Sequence, residues 1–186
     1  QTLVQLKSAI DEKPLELVQY RFLSQWFYPV IYVLVGMKGF KNNPEWIVER
    51  LGRRIKLIEA RTALTDMVQM GLLKKEGTTL RHAQGPAIAT SDETRSFAIR
   101  QFHRATLQLA QQALRLPPDA RDITGLTVSI KKSDLPRLKK RIQAFRKELN
   151  EMLSSDADAD EVYQINFQVF PLTSKQINEG ETCDLN

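Results

Sequence analysis

Leu15, Val18, Phe22, Trp26 and Val30 recur every three to four residues, the spacing of an amphipathic helix. The pattern predicts helix over 15–35. Pro29 inside it removes a backbone donor, so the helix should kink or split in two. Gly36 and Gly39 punctuate its end. Asn43 is a favourable N-cap and Pro44 suits a first helical position, which predicts a short helix over 44–51 stopped by Gly52. Ala60, Ala63, Leu64, Met67 and Met70 mark a further helix over 57–70, stopped by Gly71. Short extended stretches follow, and Gly77 supplies the turn of a small hairpin over 72–82.

Residues 83–90, with Gly85 and Pro86, read as a linker. A long helix is predicted over 91–116, opened by Ser91 with Asp92 and Glu93 and ended by Pro117–Pro118. Phe97, Leu107, Ala110 and Leu114 share one side of it, suited to a strut or to pairing with a second copy. Leu126, Val128 and Ile130 then alternate with polar residues as a strand does. Ser133 is placed to cap a helix in which Leu135, Leu138, Ile142, Phe145, Leu149 and Met152 recur at steps of three and four. After the acidic stretch SSDADADE, Tyr163, Ile165, Phe167 and Val169 alternate with Gln164, Asn166 and Gln168. A right-handed crossover would set these two strands parallel.

The expected fold is α+β. It has a winged-helix subdomain over 14–90, a long helix and linker over 91–118, a β-α-β unit over 119–175 and a frayed tail over 176–186. Helix, short helix, helix, hairpin is winged-helix order. The third helix turns Ala60, Ala63, Leu64, Met67 and Met70 inward and leaves Arg61, Thr62, Thr65 and Gln69 outward, with the acidic Glu59 and Asp66. Such side chains can reach base edges if the helix enters a major groove. The turn before it, RLGRRIK, holds Arg50, Arg53, Arg54 and Lys56, and the wing adds Lys74, Lys75 and Arg81. Cations flanking a recognition helix are what phosphate positioning needs.

Charge sharpens this picture. The 186 residues carry a net +5, and residues 1–90 hold 13 Lys and Arg against 8 Asp and Glu, whereas residues 91–186 hold 14 of each. A basic first half favours an anionic partner. Residues 131–147 contain eight Lys and Arg and one acid, and residues 148–161 six acids and no base. That contrast reads as the wet side of an amphipathic helix followed by a countercharged loop. The lone Cys183 cannot form an intramolecular disulfide, and no apolar run is long enough to span a membrane. A reducing, cytoplasmic setting is expected, without a membrane partner.

No nucleophile–base pair, glycine-rich phosphate loop or metal-ligand spacing is visible, so neither enzyme activity nor a cofactor is expected. His82 and His103 lie far apart in sequence. Asp156, Asp158 and Asp160 alternate as in a calcium loop, but the sixth and twelfth places hold Glu161 and Phe167, where glycine and glutamate are needed. The aromatics Tyr20, Phe22, Trp26, Phe27, Tyr28 and Tyr32 are too many for one helix face. They imply burial on several sides or a patch for a partner.

The segments YRFLSQWFYPVIYVLV, FKNNPEWIVERL, IEARTALTDMVQMGLL, SDETRSFAIRQFHRATLQLAQQAL, DITGLTVSIKKSDLPRLKKRIQAFRKEL and DEVYQINFQVFPLT together resemble one uncharacterised bacterial family. Its members carry a C-terminal domain of unknown function and resemble transcription regulators with a Cro-repressor-like helix-turn-helix in front. The resemblance covers roughly residues 15–175 and implies a regulatory role for this C-terminal, winged-helix-containing region. It assigns no catalytic or ligand-binding residue. The chain opens at Gln1 without Met, which fits a missing front domain. Double-stranded DNA is the first expected partner. The alternative is a module that dimerises the regulator or receives a protein signal while the front domain reads DNA.

Overall fold

The computed structural model describes residues 17–83, 92–153 and 158–173, apart from the side chains of 92–95. Residues 84–90 of the linker expected over 83–90, the cap at Ser91, Asp156 and the tail with Cys183 lie outside the described residues. Among the described residues six α-helices and one two-stranded antiparallel sheet make an α+β fold.

The first predicted helix is split in two. Helical residues 17–24 form α1, and α2 is Phe27–Gly36. The break falls at residues 25–26, which puts Pro29 in the first turn of α2, where a missing N–H costs nothing. Helix α3, Pro44–Arg50, is capped as its sequence predicts, with the Asn43 side chain accepting from the Trp46 N–H at 2.7 Å. It ends in a Schellman closure. Gly52 N–H donates to Glu49 O and Arg53 N–H to Val48 O, both at 2.9 Å, with Gly52 left-handed at φ 63°. Helix α4, Leu57–Gln69, ends the same way at Gly71, whose φ is 69°.

The hairpin follows at once. Strand β1, Leu73–Glu76, pairs antiparallel with β2, Thr79–His82, in the register Leu73↔His82, Lys74↔Arg81, Lys75↔Leu80, Glu76↔Thr79. Gly77, at φ 60°, takes the first central position of the two-residue turn, where only glycine is unstrained. Alternation sends Leu73 and Leu80 into the core and leaves Lys74, Glu76 and Arg81 on the wet face.

Helices α2, α3 and α4 and the hairpin close around one core containing Phe27, Tyr28, Ile31, Ile47, Ala63, Met67, Leu73 and Leu80. The aromatic excess is absorbed by burial on several sides. Phe27 and Tyr28 are buried, while Phe22, Trp26 and Tyr32 pack against the core from its rim. Tyr20 stacks on Phe97 of the long helix α5, Asp92–Ala113, with ring centroids 6.2 Å apart. The buried stripe of α5 runs through Ala98 and Thr106, whereas Phe97, Leu107 and Leu114 remain exposed. Of the side named for a strut or for pairing, Phe97 meets Tyr20 while Leu107 and Leu114 meet solvent.

The last third departs most from expectation. Helix α6, Leu135–Leu153, forms where its periodicity places it, entered through a 3₁₀ turn at Lys132–Asp134 that contains Ser133 rather than being capped by it. Among the described residues the two predicted flanking strands are absent, so the β-α-β unit is not formed as expected. Residues 121–131 and 159–171 lie outside any ladder. Alternation gives each segment a two-sided pattern, but a strand also needs a neighbouring backbone, and neither finds one here.

Candidate nucleic-acid interface

Helix α4 is fixed from below by its apolar side. Ala60, Ala63, Leu64, Met67 and Met70 are all buried, as their spacing requires. Arg61, Thr65 and Gln69 are exposed on the opposite side, and Thr62 is half-buried. Thr65 donates to Arg61 O at 3.0 Å. Glu59, whose charge would repel phosphate, is spent at the helix start, where its Oε2 accepts from the Lys56 N–H at 2.6 Å.

Asp66 is the main correction. Its spacing put it among the outward residues, but it is buried, with 4 % of its surface exposed. Arg21 holds both carboxylate oxygens, Nε to Oδ2 at 2.7 Å and Nη2 to Oδ1 at 2.8 Å. The Tyr28 hydroxyl donates to Oδ2 at 2.5 Å. The hydrogen bond to Asp66 raises the Arg21 guanidinium above its ordinary value. Burial first, then the bond to Asp66, raises the Tyr28 hydroxyl. A buried carboxylate is tolerated only when paired and hydrogen-bonded, and here three contacts do both. Asp66 thus ties α4 to α1 and α2 and adds no negative charge to the outward face.

The expected cations lie in the turn before α4, on α4 itself and on the hairpin after it. Before it, Arg53 sits at φ 57°, a left-handed conformation unusual for a residue with a Cβ. Its Nε lies 2.9 Å from Glu49 Oε1. Arg61 pairs with Glu45 of α3 at 3.1 Å. On the hairpin, Glu76 bridges Lys74 at 2.7 Å and Arg81 at 2.8 Å, and Lys74 first, then Arg81, lowers its carboxyl below the ordinary value. Arg54, Lys56 and Lys75 are exposed, and Lys75 points to the other side of the hairpin from Lys74 and Arg81. The paired acids are exposed as well, so these contacts are worth little and are screened by salt. Seven cations, Arg53, Arg54, Lys56, Arg61, Lys74, Lys75 and Arg81, stand among four carboxylates, Glu45, Glu49, Glu59 and Glu76, with Lys75 on the far side of the hairpin.

Arg50 does not join this surface. It turns to the returning chain, where its guanidinium donates to Asp160 O and lies 3.3 Å from Glu161 Oε1. Lys38 meets Asp158 at 3.3 Å, and Val162 packs against the core. Residues 158–162 therefore clasp the ends of α2 and α3. An open groove of about 440 Å³ lies there, walled by Leu34, Met37, Trp46 and Asp160. Sequence reasoning gave the acidic stretch no partner; its signal was only the charge contrast.

The hairpin has its own anchor. The His82 ring stacks on Tyr32 with centroids 4.2 Å apart, and its Nε2 lies 2.7 Å from Tyr32 O. A Cβ at Gly36 would come within 2.7 Å of His82 Cε1, so the end of α2 is shaped to receive this ring. His103 lies exposed on α5 beside Phe102. Among the described residues no three His, Cys, Asp or Glu side chains gather into a metal-ligand set. No helix among them is long and apolar enough to cross a membrane.

A family model described as a domain of unknown function, DUF4423, matches residues 7–172, and the chain belongs to that family. No curated protein and no solved structure matches it.

Proposed function

We propose that this chain is the C-terminal region of a bacterial transcription regulator that works in the cytoplasm and docks double-stranded DNA. The three helices and hairpin act as a winged helix, and the role is binding rather than catalysis, with no cofactor. Arg53, Arg54, Lys56, Lys74, Lys75 and Arg81 would contact phosphates, while Arg61, Thr62, Thr65 and Gln69 would face the groove. The observation that carries the reading is the inward turn of Asp66 onto Arg21 and Tyr28. It leaves an α4 surface of Arg61, Thr65 and Gln69 flanked by cations, with the one remaining carboxylate of the helix engaged at its cap. Phosphates would replace the exposed carboxylates at Arg53, Arg61, Lys74 and Arg81, an exchange that loses little.

The test is fluorescence anisotropy against random duplex DNA at several salt concentrations, then against a sequence enriched from a random pool. Binding should fall steeply with salt. Arg61→Ala should cost about 1–3 kcal/mol on the enriched sequence, while Lys75→Ala should weaken all sequences and lower the salt slope by about one. Equal loss on enriched and random DNA for Arg61→Ala would remove its groove role. No binding at low salt would leave an interaction module whose DNA contact lies elsewhere.

A further inference from the structure

Two cations beside the candidate DNA surface are held by the chain's own acids. Arg50 follows Glu49, whose carboxylate meets Arg53 of the turn before α4. One residue on is about 100° round a helix, so Arg50 leaves α3 beside that surface while its guanidinium turns to the returning chain. It donates to Asp160 O and lies 3.3 Å from Glu161 Oε1. Lys38 stands on the loop between α2 and α3, and Asn42 of the same loop donates to Thr78 O of the hairpin turn at 3.0 Å. The Lys38 Nζ lies 3.3 Å from Asp158 Oδ1. One cation next to the turn before α4 and one on the loop that meets the hairpin tip are thus neutralised by residues 158–161.

The segment that neutralises them is laid on lightly. None of residues 158–162 is buried. Asp158 and Asp160 form one wall of the open groove whose other side is Leu34, Met37 and Trp46, and Val162 is the segment's apolar anchor. Both ion pairs are open to water, with the Asp158 side chain 82 % and the Glu161 side chain 62 % exposed. Pairs this exposed hold weakly and are screened by salt. Carboxylates and phosphates also compete for the same guanidinium and ammonium donors.

We propose that residues 158–162 are a self-inhibitory strap: their acids occupy Lys38 and Arg50, and lifting the strap frees both cations to contact DNA phosphates. The strap has this role only if the chain docks DNA as proposed above, and it regulates that same surface. Held down, it withdraws two phosphate contacts and sets Asp158, Asp160 and Glu161 beside the cations. Lifting it tightens binding to every sequence alike, because phosphate contacts carry no base information.

The experiment is fluorescence anisotropy of the full chain on random duplex DNA at several salt concentrations. Asp158→Asn with Glu161→Gln removes both carboxylates at exposed positions and keeps side-chain size. It should tighten binding about three- to tenfold at low salt and steepen the salt slope by about one for each cation freed. Asp119→Asn with Asp122→Asn, at two exposed acids on the loop after α5, matches the change in charge and should alter binding less than about twofold. Adding Lys38→Gln and Arg50→Gln to the strap variant should cancel its gain. DNA binding that the strap variant leaves unchanged overturns the strap and spares the DNA surface. A gain equalled by the Asp119 and Asp122 variant, or one that survives the loss of Lys38 and Arg50, is bulk charge and overturns the strap as well. No binding at low salt by parent and strap variant alike overturns both the strap and the DNA surface.

Discussion

Helices α4 and α6 are both amphipathic, and they end in opposite conditions. Helix α4 buries Ala60, Ala63, Leu64 and Met67 against α2, α3 and the hairpin, while no residue of α6 is more than half-buried. Both have the periodicity, and α6 has it more regularly. The difference is what faces them. Helix α4 follows α3 after a six-residue turn closed by Gly52, so its apolar side arrives against a surface built by its neighbours. Helix α6 is flanked by extended segments that meet it edge-on at Phe145 and leave its apolar residues half-buried at most. Periodicity specifies a face, and a second element must specify its burial.

The largest expected effect tests that contrast. Met67→Ala, at a fully buried position, should cost about 2–5 kcal/mol in chemical denaturation. Leu138→Ala on α6 should cost less than about 1 kcal/mol in dilute protein. Equal costs would show that α6 is packed after all, and the contrast would fail.

The next effect is read against pH. Tyr28 keeps its proton in the folded protein at pH values where the unfolded chain, with a tyrosine near 10, gives it up. Its contribution is therefore complete below about pH 10. It falls as pH rises, by about 1.4 kcal/mol per pH unit from this one group. Tyr28→Phe should flatten that fall relative to the parent, as read from denaturation midpoints between pH 9 and 11. An identical slope in both proteins would mean that the Asp66 cluster is not closed in solution.

The smallest effect concerns the hairpin's attachment. Gly36→Ala should destabilise the parent by roughly 1 kcal/mol, because the new methyl displaces the His82 ring from Tyr32. In a His82→Ala background the same change should be neutral or mildly stabilising, since alanine favours a helix over glycine. Additivity across the four proteins would break the proposed link between α2 and β2.

The first half of the chain was legible in its sequence because its signals are local. Asn43 with Pro44, Gly52, Gly71 and Gly77 each fix a boundary through one residue's own backbone preference, and each boundary falls where that preference puts it. Pro29 predicted a kink or a split and did not choose between them, since proline fits the first turn of a second helix as well as a kink. Asp66 misled because its contacts lie 45 and 38 residues away, at Arg21 and Tyr28, and no spacing rule reaches that far. In the last third the alternation of 126–130 and 163–169 described the right side-chain rhythm. It could not state whether a neighbouring backbone exists. Of the candidate interface, the cations and the outward set of α4 were legible. Their pairing with Glu45, Glu49 and Glu76 was not, because it depends on which exposed acids the fold happens to bring near.

The clasp of residues 158–162 on α3 joins positions 111 apart in sequence through Arg50 and Glu161. The entropy of closing so long a loop grows only with the logarithm of its length, so a few weak contacts and one packed valine can hold it. The contacts of residues 158–162 therefore return the chain beyond α6 to the last turn of α3, next to the turn that leads into α4.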